Sequence, residues 1–188
     1  MEQRKAHVIA RDVASKMRVS PLLDAAGATI KPVCVHHPLL LGLKKPSIWP
    51  PPEEDAGDFG ASMKMSKSEK SSALFVHDTP DEIRAKVRKA FCPPDSVRFN
   101  PMLDWVRKLV FTRDGEFRIA RSADHGGDLR FTDPAEVDEA YISGALHPAD
   151  LKNGVAEWLV DTLEPARAAF AAPEQQALIT ELDELISR

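Results

Sequence analysis

The sequence predicts an α/β segment up to about residue 79, followed by a segment that is essentially all helix. Two observations carry this division. Between Ala28 and His36 the chain is nearly continuously apolar, with Thr29-Ile30 and Val33-Cys34-Val35, the pattern of a short strand covered on both faces in a parallel sheet. From Thr79 onward, apolar residues recur at three- and four-residue spacing behind Pro- and Asp-marked starts, the pattern of amphipathic helices. Charge also changes along the chain. Residues 1–100 carry 16 Lys and Arg against 12 Asp and Glu, and residues 101–188 carry 9 against 17.

Taken in order, residues 2–17 read as a helix, with Ala6, Ile9, Ala10, Val13, Ala14 and Met17 on one face. The strand of residues 28–36 follows. Residues 44–61 read as an inserted, Pro-rich surface loop containing Trp49-Pro50-Pro51-Pro52 and then Glu53-Glu54-Asp55. Thr79-Pro80-Asp81-Glu82 is a helix start, with Thr79 as cap, Pro80 at the first position and Glu82 completing a capping box. That helix runs to about Phe91 and is stopped by Cys92-Pro93-Pro94. A second runs from about Asn100 to Val110, and Asp133-Pro134-Ala135-Glu136 opens a third. A fourth covers Pro148 to about Phe170, with Pro165 expected to kink it or mark a junction. The last spans about Pro173 to Ile186. No internal repeat is visible.

Composition sets bounds on function. The 188 residues, 43% hydrophobic with a net charge of -4, are enough for one to two domains with a real core and exclude general disorder. No apolar run approaches the ~20 residues that span a bilayer. The N-terminal residues lack the apolar region of a signal peptide. Two cysteines, Cys34 and Cys92, make neither a disulfide framework nor a four-ligand zinc site, which points to a reducing, cytoplasmic setting. The adjacent His36 and His37 have no third ligand at matching spacing, so no metal site is expected. The basic first half favours a polyanionic partner such as a nucleotide or nucleic acid.

The chemistry concentrates in Lys64-Met65-Ser66-Lys67-Ser68. Two lysines three residues apart, with serines between them and Gly60 shortly before, make a mobile cationic arm. Such an arm closes over a triphosphate and neutralises charge on a departing pyrophosphate. The competing reading is a solvated Lys/Ser loop.

This pentapeptide is the signature loop of class I aminoacyl-tRNA synthetases, and its surroundings narrow the resemblance. Glu2-Gln3-Arg4-Lys5-Ala6-His7, Lys31-Pro32-Val33-Cys34-Val35-His36 and Leu40-Leu41-Gly42-Leu43 resemble tyrosyl-tRNA synthetases of the archaeal and eukaryotic type. So do Asp81-Glu82-Ile83-Arg84-Ala85-Lys86, Ala90-Phe91-Cys92-Pro93, Gly126-Gly127-Asp128 and the run from Leu146 to Asn153. The resemblance implies the C-terminal part of a Rossmann-type nucleotide-binding domain, with the signature loop and a connecting helix, over residues 1–92. A helical anticodon-binding domain would cover residues 93–188. It implies an ATP-dependent tyrosine–tRNA ligase with ATP, Mg2+ carried by ATP, tyrosine and tRNA(Tyr) as substrates or partners, and a homodimer.

Residue by residue, the resemblance assigns Lys64 and Lys67 to catalysis and Lys64, Met65, Ser66, Lys67, Ser68, His37 and Pro38 to ATP. The family often has Ser where this chain has Lys67. Gln3 matches a residue that holds tyrosine. Asp150 matches a carboxylate that accepts from the first anticodon base, a guanine, with a plain helix cap as the alternative reading. His125 stands where the family usually carries Phe or Trp to stack on that base, and His147 and Pro148 shape the same loop. No His-x-Gly-His string occurs, so the chain corresponds to the C-terminal half of such a synthetase. A sheet cut to one or two strands should leave residues 1–78 poorly stable alone. The alternatives are a non-catalytic tRNA-binding module, one subunit of a split synthetase, or a protein-interaction fragment presenting the Pro-rich loop.

Overall fold

A computed structural model describes residues 4–52, 59–60, 62–66, 70–94 and 96–186. The chain forms two compact units, residues 1–39 and 40–188.

In the first unit, helix α1 (Arg4–Ala14) ends before the Met17 that the 2–17 periodicity included, and residues 2 and 3 lie outside the described residues. It buries Ala14 and leaves Val8, Ile9 and Val13 about half exposed. The Arg11 guanidinium donates to the Pro32 carbonyl. A tight turn follows, in which the Asp24 carboxylate accepts from the Ala26 and Ala28 amides at 2.9 Å each, and Gly27 takes a positive φ of 83°. The expected buried strand over Ala28–His36 is not formed. A single antiparallel bridge joins Leu23 and Thr29, and Val33 and Val35 are 87% and 84% exposed. The reason is physical. A strand is held by backbone hydrogen bonds to a neighbouring strand, and among the described residues none pairs in this way with residues 31–36.

The second unit is built on helices. Helix α2 (Pro80–Lys89) starts as its sequence dictates. The Thr79 hydroxyl accepts from the Glu82 amide at 3.3 Å, and the Glu82 carboxylate accepts from the Thr79 amide at 2.8 Å. This pairing holds the Glu82 carboxyl below its usual range, first through the Thr79 amide and then through the Thr79 hydroxyl. Helix α3 (Pro101–Trp105), capped by the Asn100 side chain, runs through a π-helical turn (Val106–Val110) into α4 (Phe111–Asp114). Gly115, at φ 71°, ends it.

After α4 the expectation of helix alone fails. Strands β1 (Phe117–Ile119) and β2 (Leu129–Phe131) pair antiparallel, Phe117 opposite Phe131 and Ile119 opposite Leu129. Three residues per strand, with Phe117 and Ile119 buried and Arg118 exposed between them, leave too short an alternation to stand out in the sequence. Helix α5 (Pro134–Ile142) starts where Asp133-Pro134-Ala135-Glu136 opens it, and Asp133 and Glu136 form a capping box there. Helices α6 (Pro148–Thr162) and α7 (Glu164–Phe170) split at Leu163, because Pro165 cannot continue the earlier helix. Helix α8 (Pro173–Ile186) packs on α7 and leaves Leu178, Leu182 and Leu185 exposed.

The core gathers Ile83 and Val87 of α2, Met102, Leu103 and Trp105 of α3, Phe117 and Ile119 of β1, and Leu151, Val155 and Leu159 of α6. Leu43 belongs to the same core. Helix α2 lies chiefly against α6. Across that contact the Arg84 guanidinium donates to both Glu157 oxygens, at 2.7 and 2.9 Å. The fork holds the Glu157 carboxyl below its usual range. Gly154 lets α6 approach β1, since a Cβ there would sit 2.8 Å from Ile119 Cγ1 and 2.9 Å from Phe117 Cζ.

Candidate functional site

The signature loop is held by three backbone residues, Leu41, Gly42 and Leu43. The Asp104 carboxylate accepts from the Leu41 amide at 3.1 Å, and the Trp105 indole N–H donates to the Leu41 carbonyl at 2.8 Å. Both partners come from α3, so the helical core fixes Leu41 from each side. Asp104 is also paired with Lys108 at 2.6 Å, which balances its largely buried charge. Leu41 then bridges antiparallel to Lys64, and the Gly42 amide donates to the Met63 carbonyl at 2.6 Å. A Cβ at Gly42 would lie 3.0 Å from the Met63 carbonyl oxygen and 3.2 Å from that of Lys64, so glycine permits this approach. Leu43 bonds through its amide to the Ser72 carbonyl at 3.0 Å and through its carbonyl to the Phe91 amide at 2.7 Å.

The loop's own residues complete the frame. Met63 is buried, and Met65 packs against the core. The Ser72 hydroxyl donates to the Ser66 carbonyl at 3.2 Å. Between the loop and Leu41–Leu43 opens a cavity of about 230 Å3, lined by Lys44, Lys45, Lys64, Ser47, Ser62 and Ser66 among others. Three lysines and four serines, Ser72 included, around one concavity suit an anion rich in oxygen. Lys67, Ser68 and Gln3 lie outside the described residues. His37 and Pro38 belong to the first unit, where His37 Nδ1 lies 3.1 Å from the Pro38 carbonyl. In that unit the His7 and His36 rings lie 4.9 Å apart.

Of the residues expected from sequence to read RNA, Asp150 is tied through one arginine to the loop that follows His125. That arginine is Arg121. Its Nε donates to the Gly127 carbonyl at 2.8 Å, its amide donates to Asp128 at 2.9 Å, and its Nη1 lies 3.5 Å from the Asp150 carboxylate. The loop turns on Gly126 and Gly127, at φ 89° and 74°. His125 is exposed at its tip, with Nδ1 3.1 Å from the Ser122 hydroxyl. His147, not Asp150, caps α6, its Nδ1 accepting from the Ala149 amide at 3.1 Å. Pro148 takes the first helical turn. Asp150 is therefore held by an arginine rather than spent on a cap. Sequence reading missed Asp104, Trp105 and Arg121. An acid inside an apolar helix face was the one available signal for Asp104.

Comparison with known proteins bears on what this frame serves. A family model described as tRNA synthetases class I (W and Y) matches residues 1–164. The tyrosine–tRNA ligase of Pyrococcus furiosus is 54% identical over 172 residues, which is 90% of this chain and 46% of that protein. The tyrosine–tRNA ligase of Thermococcus gammatolerans is 49% identical over 185 residues, 97% of this chain and 49% of that protein. Among solved structures, tyrosyl-tRNA synthetase from Pyrococcus horikoshii, complexed with L-tyrosine, matches with a TM-score of 0.85 at 50% identity, covering 96% of this chain and 49% of that one. The Aeropyrum pernix tyrosyl-tRNA synthetase matches at 0.70 with 36% identity, covering 98% of this chain and 46% of that one. The chain spans about half the length of the curated relatives it matches. Its signature loop, its anchoring segment and its sequence over most of its length therefore agree: the chain belongs to the class I tRNA synthetases of the W and Y family, and the relatives described above are tyrosine-specific members of it.

Proposed function

We propose that this chain supplies the pyrophosphate-stabilising loop and the anticodon-reading part of a cytoplasmic tyrosine–tRNA ligase. The supporting observation is the lysine- and serine-lined cavity beside Lys64, clamped to the helical core through Leu41. In the first step the tyrosine carboxylate attacks the α-phosphate of ATP and pyrophosphate leaves. Lys64 and Lys67 neutralise the charge that gathers on the β- and γ-phosphate oxygens, and Ser66 and Ser68 donate hydrogen bonds to them. Met65 anchors the loop, and Mg2+ enters on the nucleotide. His37 and Pro38 border the adenosine, and Gln3 holds tyrosine. In the second step a hydroxyl of the terminal ribose of tRNA attacks the tyrosyl carbonyl of the adenylate and AMP leaves. Asp150, with His125, His147 and Pro148 around it, takes the guanine of the anticodon. In this reading residues 1–92 end the nucleotide-binding domain, residues 93–188 form the anticodon-binding domain, and the assembled enzyme is a homodimer.

The test joins this chain to the portion of the Pyrococcus horikoshii relative that it does not span and measures tyrosine-dependent pyrophosphate exchange. Lys64→Ala should slow exchange at least tenfold. An unchanged rate would remove Lys64 from the reaction.

A second reading is favoured by one observation, the coverage of about half of each relative. In it the chain is a non-catalytic tRNA-binding module or one subunit of a split ligase. That reading expects tRNA binding by the chain alone without pyrophosphate exchange.

A further inference from the structure

Lys44 and Lys45 line a second and larger cavity, of about 450 Å3, in addition to the one at the signature loop. Its other walls are Leu43, Ser71 and, from α2, Ala85, Lys86 and Lys89. Helical spacing explains the α2 contribution, since residues 85, 86 and 89 share one face. The space is thus lined by four lysines, one serine and the aliphatic residues Leu43 and Ala85.

The lysines differ in what they already do. Lys86 is committed to structure, with its ammonium 2.6 Å from the buried Asp78 carboxylate and 4.8 Å from the centre of the Phe75 ring. Lys45 and Lys89 are exposed. The acids at the start of α2 are also engaged. Asp81 pairs with Arg84 at 3.5 Å, and Glu82 closes the capping box. Positive charge therefore dominates the lining. The volume falls within the range of small-ligand cavities. Four lysines around one cavity suit linked phosphates, which ammonium groups contact without regard to base.

We propose that this cavity binds linked phosphates, and specifically the sugar–phosphate backbone of an RNA strand, with Lys45 and Lys89 contacting successive phosphodiesters. The site is separate from the anticodon-reading end and reads no sequence. It rests on the family reading only for RNA being the partner; the charge and shape of the cavity require neither adenylate chemistry nor Asp150. Free polyphosphate offers the same oxygen chemistry, and the test separates the two.

The experiment uses the full chain. Anisotropy of a labelled, mixed-sequence single-stranded RNA 12-mer and of a tRNA transcript is followed across potassium chloride concentrations, with isothermal titration of tripolyphosphate beside it. Lys89→Glu should weaken both RNAs at least tenfold at low salt. Lys45→Gln with Lys89→Gln should lower the slope of log affinity against log salt by about 1.5, since each phosphate contact carries ~0.7–0.9. If Lys89→Glu, whose side chain does not line the signature-loop cavity, loses tripolyphosphate binding while RNA affinity and slope stay unchanged, the site takes free polyphosphate and the RNA assignment is overturned. Unchanged binding of both ligands, or no RNA binding by the wild-type chain, also overturns it. Anticodon preference reports on the functional reading separately. Its absence alongside an intact Lys89 effect would count against the ligase assignment and leave this cavity standing.

Discussion

Trp105→Phe isolates the bond by which the helical core holds the signature loop. The wild-type indole is 2% exposed and donates to the Leu41 carbonyl at 2.8 Å. Phenylalanine keeps an aromatic ring and removes the donor. Leaving a largely buried carbonyl without that partner costs about 1–3 kcal/mol. The smaller ring leaves about 40 Å3 to fill, worth ~1 kcal/mol at ~24 cal/mol per Å3. The expected loss is about 2–4 kcal/mol. For a unit of this size each kcal/mol moves Tm by about 2–4 °C, so Tm should fall by at least about 4 °C. Amide exchange measured over residues 40–43 should quicken more than exchange over α5, because Leu41–Leu43 loses its anchor while α5 does not. Asp104→Asn is the companion variant. It keeps an acceptor for the Leu41 amide and should cost less. A Tm within about 1 °C of wild type, or exchange at residues 40–43 that does not change, would refute the claim that α3 holds the loop.

Three further predictions follow from the packing and the ion pairs. Gly154→Ala crowds Ile119 and Phe117, at a cost of about 1–3 kcal/mol. A gain of ~1 kcal/mol in helix propensity offsets part of it. A net loss of up to about 2 kcal/mol should appear in urea unfolding, and a more stable variant would show that α6 and β1 have room between them. Arg121→Ala removes the tie between the Gly127 carbonyl and Asp150. It should speed amide exchange across residues 122–128 while Tm moves little, and unchanged exchange there would mean the loop holds itself. Glu82, Glu116 and Glu157 are all held below their ordinary 4.5, by bonds from Thr79, from Arg118 and then Arg130, and from Arg84 respectively. A depressed carboxyl binds fewer protons folded than unfolded. Its contribution is therefore complete above about pH 4.5 and is lost as pH falls through the lower folded values. Thermal unfolding should show stability falling over that acid range. Glu157→Gln should flatten the fall, and an identical acid profile in that variant would remove Glu157 as a source.

Much of the fold was legible where local chemistry decides it. The capping box at Thr79–Glu82, the helix starts at Asn100 and Asp133 and the break before Pro165 all appear where their residues put them. Each depends on neighbours within four positions, so the sequence carries the full instruction. The apolar run at residues 28–36 did not become a strand, because pairing is a property of two segments and only one was in view. The hairpin of β1 and β2 was missed for the opposite reason. Its strands are short, and their burial comes from α6 through Gly154.

For the candidate site the same division holds. The sequence by itself determined the family and the Lys64–Ser68 string, because these are carried by adjacent residues, and it named Asp150 only through the resemblance. Only the tertiary structure decided that Asp104 and Trp105, more than 60 positions from Leu41, hold that loop in place, that Arg121 holds Asp150, and that His147 does the capping. These contacts join residues distant in the chain, and no local propensity encodes a partner that the fold has yet to bring near. The cationic pair of Lys45 and Lys89 is of the same kind. Two unremarkable surface lysines, one in a loop and one in a helix, become one site once the Leu43 backbone is bonded to Phe91, just beyond α2.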